Sequence, residues 1–149
     1  MKAVIQVSIV SAILGYGVVL GCDYLESPFL LKYLRENLVG IILTLLAINT
    51  ATLGFIGSKI QEAAASIPNL NLSEPIWQMR ISLIEQFCLL ILTIIALIIR
   101  DSAKLTFETK WFICDVTLTA AFIYSIDILR DTGVSVFTLI REMEKARKK

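Results

Sequence analysis

The sequence predicts an all-α fold, a polytopic membrane protein of four transmembrane helices followed by a C-terminal cytoplasmic amphipathic helix. Three observations predict it. The 149 residues are 56% hydrophobic, above the share of about one half usual in soluble domains. The excess is gathered into four blocks, at about 3–22, 38–58, 77–100 and 111–129, and each block approaches the ~20 apolar residues that cross a bilayer core of about 30 Å. Polar or proline-bearing stretches separate the blocks, and the last stretch is basic. The chain therefore divides into a transmembrane domain over 1–131 and a basic amphipathic helix over 132–149.

Helix 1 runs from about Ala3 to Cys22 and carries Ser8, Ser11, Gly15, Gly17 and Gly21. Gly17 and Gly21 form a GxxxG pair and Ser11 and Gly15 a small-xxx-small pair, spacings that let two helix backbones approach. A competing reading is a lipoprotein signal, with Lys2 and an apolar run leading to Val19-Leu20-Gly21-Cys22. The bulky Leu20 two places before the cysteine, and a leader with a single lysine, favour a retained first span.

Residues 23–37 connect helices 1 and 2. Ser27-Pro28 reads as a helix start, with serine as N-cap and proline in the first helical position. Phe29, Leu30, Tyr33 and Leu34 then alternate with Lys32, Arg35 and Glu36. The pattern fits either an interfacial helix or the first turns of a long helix 2. The second is preferred, because Asn37 is the one weak stop signal.

Helix 2 proper, LVGIILTLLAINTATLGFIGS over 38–58, contains no charge. Gly40, Thr44, Ala47, Ala51, Gly54 and Ser58 follow one another at steps of four and three, which keeps them on one helix face. Asn49, Thr50 and Thr52 put amide and hydroxyl groups at membrane depth. This helix is expected to be the packing centre, and its small stripe the surface through which copies of the chain associate. It continues through Lys59, Gln61 and Glu62 and ends before Pro68, since proline pushes its predecessor out of the helical region.

Ser73-Glu74-Pro75 opens helix 3, again with a serine cap. Its first part, WQMRISLIEQ, is amphipathic; its second, FCLLILTIIALII, is apolar all round, which suits lipid contact or full burial. A polar turn over 101–110 leads to helix 4, which carries Asp115, Thr117, Thr119, Ser125 and Asp127. Gly133 is a candidate break before the tail. There Val136, Phe137, Ile140 and Met143 share a face, with Arg141, Lys145, Lys148 and Lys149 elsewhere.

With four spans the termini share one side. That side holds nine of the fourteen Lys and Arg residues, five of them in the tail as Arg141, Lys145, Arg147, Lys148 and Lys149; the other side holds Lys32, Arg35, Arg100, Lys104 and Lys110. The positive-inside rule then places both termini in the cytoplasm, and the membrane is expected to be a bacterial inner membrane.

Candidate chemistry is sparse. The chain has no histidine, so the commonest general base, metal ligand and pH switch are missing. Cys22, Cys88 and Cys114 form no CxxC pair and read as apolar fillers. Phosphate-loop, nucleophile-elbow, zinc-protease and dinucleotide motifs are lacking. No catalytic residue, metal or cofactor is therefore expected. A net charge of +1 offers no field for direct nucleic-acid binding.

Glu85 and Asp115 are costly within a span, at about 3 kcal/mol each on insertion scales. They are expected about a dozen Å apart along the membrane normal. They suit either a hydrated path with two acidic stations or structural pairing, Glu85 with Lys59 or Arg80 and Asp115 with Arg100 or Lys110. Pairing is preferred, because cations able to snorkel inward lie close to both. Asn49, Thr52 and Thr44 suit either a pore lining in an oligomer or hydrogen bonds across a helix interface. The basic tail suits anionic headgroups, a cytoplasmic partner, or plain solvation as a helix supported by local Glu–Lys pairs.

In size, span count and polar cytoplasmic end after helix 4, the chain resembles the small four-span membrane components of bacterial anti-phage defence systems, the Kiwa type among them. The resemblance rests on plan rather than on a motif, and implies a tetrameric sensor or anchor beside a cytoplasmic nucleic-acid-binding partner. The expected function is thus a non-enzymatic membrane protein that contacts lipid, associates with itself and holds a cytoplasmic protein. The alternative is an oligomeric ion channel or membrane-permeabilising effector. A small proton-coupled exporter is a weaker third, since such exporters are organised around a glutamate in the first span and helix 1 here has only Gln6.

Overall fold

The computed structural model describes residues 2–66, 73–104 and 109–147. Four helices account for nearly all of them: α1 (Lys2–Tyr24), α2 (Phe29–Ser66), α3 (Ser73–Asp101) and α4 (Lys110–Arg147). No strand occurs among the described residues. All four helices are long and apolar enough to cross a membrane, so the chain is an all-helical polytopic membrane protein. The α1–α2 and α3–α4 connections lie together at one end of the bundle, the paired-turn end; the start of α1 and the end of α4 lie at the other, the termini end.

The turn after α1 is built from backbone hydrogen bonds. The Ser27 amide donates to the Cys22 carbonyl at 2.9 Å and the Glu26 amide to the Asp23 carbonyl at 3.1 Å. This pair of bonds is the Schellman arrangement, which needs a left-handed residue and usually takes glycine. Here Glu26 supplies it, with φ 51°. The Pro28 carbonyl accepts the first bond of α2 from the Lys32 amide, so that helix starts one residue later than a Ser27 cap predicts. Asn37 does not stop it: its side-chain amide donates to the Tyr33 carbonyl at 3.0 Å, and the helix runs on to Ser66. Gly133 does not interrupt α4 either, so the tail continues the fourth span. The 67–72 loop, the centre of the α3–α4 turn, and Lys148 and Lys149 lie outside the described residues, as do the side chains of Lys59, Lys145 and Arg147.

Helix α4, rather than α2, is the packing centre. It touches each of the other three helices, whereas α1 and α2, although consecutive, barely meet. The reason is a continuous buried seam on α4, Leu118, Ala121, Ser125, Ile128 and Thr132, spaced three and four apart as in a coiled coil. α1 meets it through Ser11, Gly15 and Val19, all buried. The tight pair on α1 is therefore Ser11 and Gly15. Gly17 and Gly21 point away, with nothing within 4 Å of an ideal Cβ. α2 contributes Leu34, Leu38 and Ile42, and α3 contributes Leu89, Leu90 and Ala96, to one apolar core with α4. The small stripe of α2 lies roughly opposite this core on a helix of 3.6 residues per turn, and all six of its residues are exposed.

Candidate functional site

Each of α2, α3 and α4 brings one charged side chain to the paired-turn end. Arg35 stands in the second turn of α2, Arg100 at the close of α3 and Asp115 in the second turn of α4. Arg35 grips Asp115 in a two-pronged bond, Nε to Oδ1 at 3.0 Å and Nη2 to Oδ2 at 2.5 Å. The Arg100 Nε donates to the same Oδ1 at 3.1 Å. The Arg100 guanidinium also lies over the Trp111 ring, 4.6 Å from its centroid. Lys110 takes no part in the pairing: its amine donates to the Ser102 carbonyl at 2.8 Å and flanks the same ring. The Asp115 side chain is only 8% exposed and Arg100 only 13%, so the knot sits largely out of water. The fork of arginine matches a carboxylate edge, and two such cations fix the Asp115 side chain in one place.

A second polar layer lies deeper. Asn49 and Gln86 are fully buried, and the Asn49 amide donates to Gln86 Oε1 at 2.6 Å. Asn49 follows Arg35 by fourteen residues on α2, and Gln86 precedes Arg100 by fourteen on α3. On antiparallel helices these equal steps of about 21 Å put both layers in one register. Thr93 lies midway on α3, buried, and its hydroxyl lacks a partner among the described residues. Asn49 Oδ1, Gln86 Nε2 and the Tyr124 hydroxyl are likewise buried without a hydrogen bond. Glu85 of α3 and Ser8 of α1 are polar neighbours of Tyr124.

The predicted site residues thus separate into groups. Asp115 is paired, with Arg100 as anticipated and with Arg35, a partner the sequence does not point to. Glu85 forms no ion pair among the described residues, and Arg80 is exposed. About 22 Å of helix separates Glu85 from Arg100, a wider gap than the dozen Å expected between the two carboxylates. Asn49 points into the bundle against Gln86, away from the face of Thr44. Thr44 and Thr52 return their hydroxyls to their own helix, to the Gly40 and Ile48 carbonyls at 2.8 Å. Arg141 is exposed.

The knot borders a cleft of about 440 Å³ between α1 and α2, floored by α4. Asp23, Glu26, Arg35 and Asp115 supply its charges, and Trp111 and Phe112 part of its floor. Comparison with protein families, with curated proteins and with solved structures finds no match to this chain.

Proposed function

We propose that the chain is a non-enzymatic integral membrane protein that self-associates, a tetramer being favoured, and anchors a cytoplasmic protein partner to the membrane or senses on its behalf. The observation that carries this reading is the two-faced character of α2. One face is spent on the bundle through Leu34, Leu38, Ile42, Asn49 and Ile56. The other, from Gly40 to Ser58, is small and exposed, and a Cβ on Gly40 or Gly54 would meet nothing else in the chain. Lipid tails gain little from such a surface, whereas a second helix backbone gains close contact along it.

Helix length supports the anchoring half. At 38 residues each, α2 and α4 are about 57 Å long and outrun a core of about 30 Å. Their excess emerges together at the termini end. The bias of nine Lys and Arg against five supports a cytoplasmic position for that end, and the plan shared with bacterial four-span components supports an inner membrane as the location. The helix extensions and basic tail then offer a surface to a soluble partner or to headgroups. The plan shared with four-span anti-phage components supports antiviral defence as the setting.

A conducting oligomer is the alternative. Against it, Asn49 is spent on Gln86, and the hydroxyls of Thr44 and Thr52 on their own helix. The test replaces the native cysteines and introduces one at Ala51 on the small face or at Ile42 on the bundle face. Oxidation in membranes is expected to cross-link Ala51→Cys into dimers and leave Ile42→Cys monomeric. Equal cross-linking at both positions, or at neither, overturns the association. Liposomes carrying the protein are expected to show no ion leak, and a leak altered by Thr52→Val would favour the channel.

A further inference from the structure

We propose that the cleft at the paired-turn end is a binding site for one glycerophospholipid with a phosphoethanolamine headgroup. Three features of the cleft point to this chemistry. The first is its shape. Because α1 and α2 both pack on α4 but barely on each other, the space between them forms a groove with α4 as floor. The cleft is its mouth, where the charged side chains stand among the apolar Val19, Leu31 and Phe112, and it opens onto two helices that are each apolar enough to cross a membrane. A ligand with a charged head and hydrocarbon tails fits a charged mouth that opens between two apolar spans, the tails passing down between the two helices.

The second feature is charge. The mouth brings one cation, Arg35, with its buried partner Asp115 and the exposed carboxylates of Asp23 and Glu26. Arg35 spends Nε and Nη2 on Asp115, which leaves Nη1 to donate to a phosphate oxygen. Asp23 and Glu26 accept from a primary ammonium. A head carrying both charges satisfies both walls, an anionic glycerol head offers the carboxylates only neutral hydroxyl donors, and a quaternary ammonium lacks N–H donors for them. The third feature is depth. The exposed rings of Tyr24, Phe29, Tyr33 and Trp111 gather at the same end, and exposed aromatic rings of this kind sit at headgroup level. The site stands whether or not copies of the chain associate.

The test uses the full chain purified in mild detergent. Lipid retained through purification is identified by mass spectrometry, and delipidated protein is then titrated with phosphatidylethanolamine, phosphatidylglycerol or phosphatidylcholine. Ethanolamine lipid is expected to bind about tenfold more tightly than the other two, the equivalent of one charge-assisted hydrogen bond. The double variant D23N/E26Q changes exposed positions and leaves the arginine knot alone. It is expected to keep the unfolding temperature of the delipidated protein while losing the preference. Equal affinity for the three lipids, or a preference that survives in D23N/E26Q, overturns the proposal. Soluble phosphoethanolamine is the remaining arm. It is expected to give little thermal stabilisation, and a shift equal to that of the lipid overturns the lipid as source.

Discussion

Gly15 of α1 lies so close to Ala120 of α4 that a Cβ built on it would stand 2.9 Å from the Ala120 backbone nitrogen and 3.1 Å from its Cα. That approach explains why α1 packs on α4 rather than on its sequence neighbour α2: only there do a glycine and a small residue face each other across the seam. Gly15→Leu is expected to cost about 1–3 kcal/mol of stability, as overpacking does elsewhere, while Gly17→Leu and Gly21→Leu cost little. Because the obstruction includes backbone atoms, Ala120→Gly will not rescue Gly15→Leu. Tryptophan fluorescence during unfolding in mixed micelles measures all four. A rescue would mean that the helices meet elsewhere.

Asp115 holds two arginines from two other helices, and its removal strands both. Asp115→Asn keeps the shape but discards the charge. It is expected to destabilise by about 3–5 kcal/mol, the usual consequence of leaving a buried ion unpaired. Lys110→Gln is the contrast, since Lys110 bonds a backbone carbonyl outside the knot. If Asp115 were instead a titrating station on a hydrated path, Asp115→Asn would leave stability almost unchanged and alter proton flux in liposomes.

The four spans were legible because length and apolarity act locally: about twenty apolar residues suffice whatever lies beside them. The polar layers were only half legible. Asn49 and Asp115 stood out by their cost in lipid, and Arg100 lies only 15 residues from Asp115, but Gln86 and Arg35 lie 37 and 80 residues from their partners, and a single chain carries no direct signal of which helices are neighbours. One indirect signal was present. Gln86, Thr93 and Arg100 recur every seven residues, as do Arg35, Ile42, Asn49 and Ile56, and such spacing marks a seam between helices. The steps of four and three on α2 drew attention instead to the opposite face, so α2 rather than α4 was expected at the centre. Local chemistry also misled at Gly133, where the low helix propensity of glycine was overridden by packing along α4.

The Asn49–Gln86 bond separates worth from cost. Asn49→Leu alone leaves the Gln86 amide buried without any partner, and is expected to destabilise by about 1–3 kcal/mol. The double variant Asn49→Leu/Gln86→Leu removes both polar groups and is expected to recover most of the loss. A double-mutant cycle on unfolding free energy reads the coupling directly. Strict additivity of the two single changes would show that the amides act independently.

Glu26 holds a backbone conformation that costs an L residue with a Cβ roughly 1–2 kcal/mol, and it does so on the rim of the cleft. Glycine adopts that conformation freely, so stability alone favours Glu26→Gly, with a gain of about 0.5–1 kcal/mol after glycine's own entropy is counted. The carboxylate is also one of the two offered to a lipid ammonium. The two roles predict opposite signs in one variant: Glu26→Gly is expected to unfold at a higher temperature when delipidated, yet to gain less from added phosphatidylethanolamine than the parent. Glu26→Asn separates the contributions, since asparagine tolerates the left-handed region but lacks the charge. It should resemble Glu26→Gly in lipid response and lie between glycine and the parent in stability. If Glu26→Gly kept the full response to ethanolamine lipid, the left-handed glutamate would be a matter of backbone alone, with Asp23 carrying the ammonium.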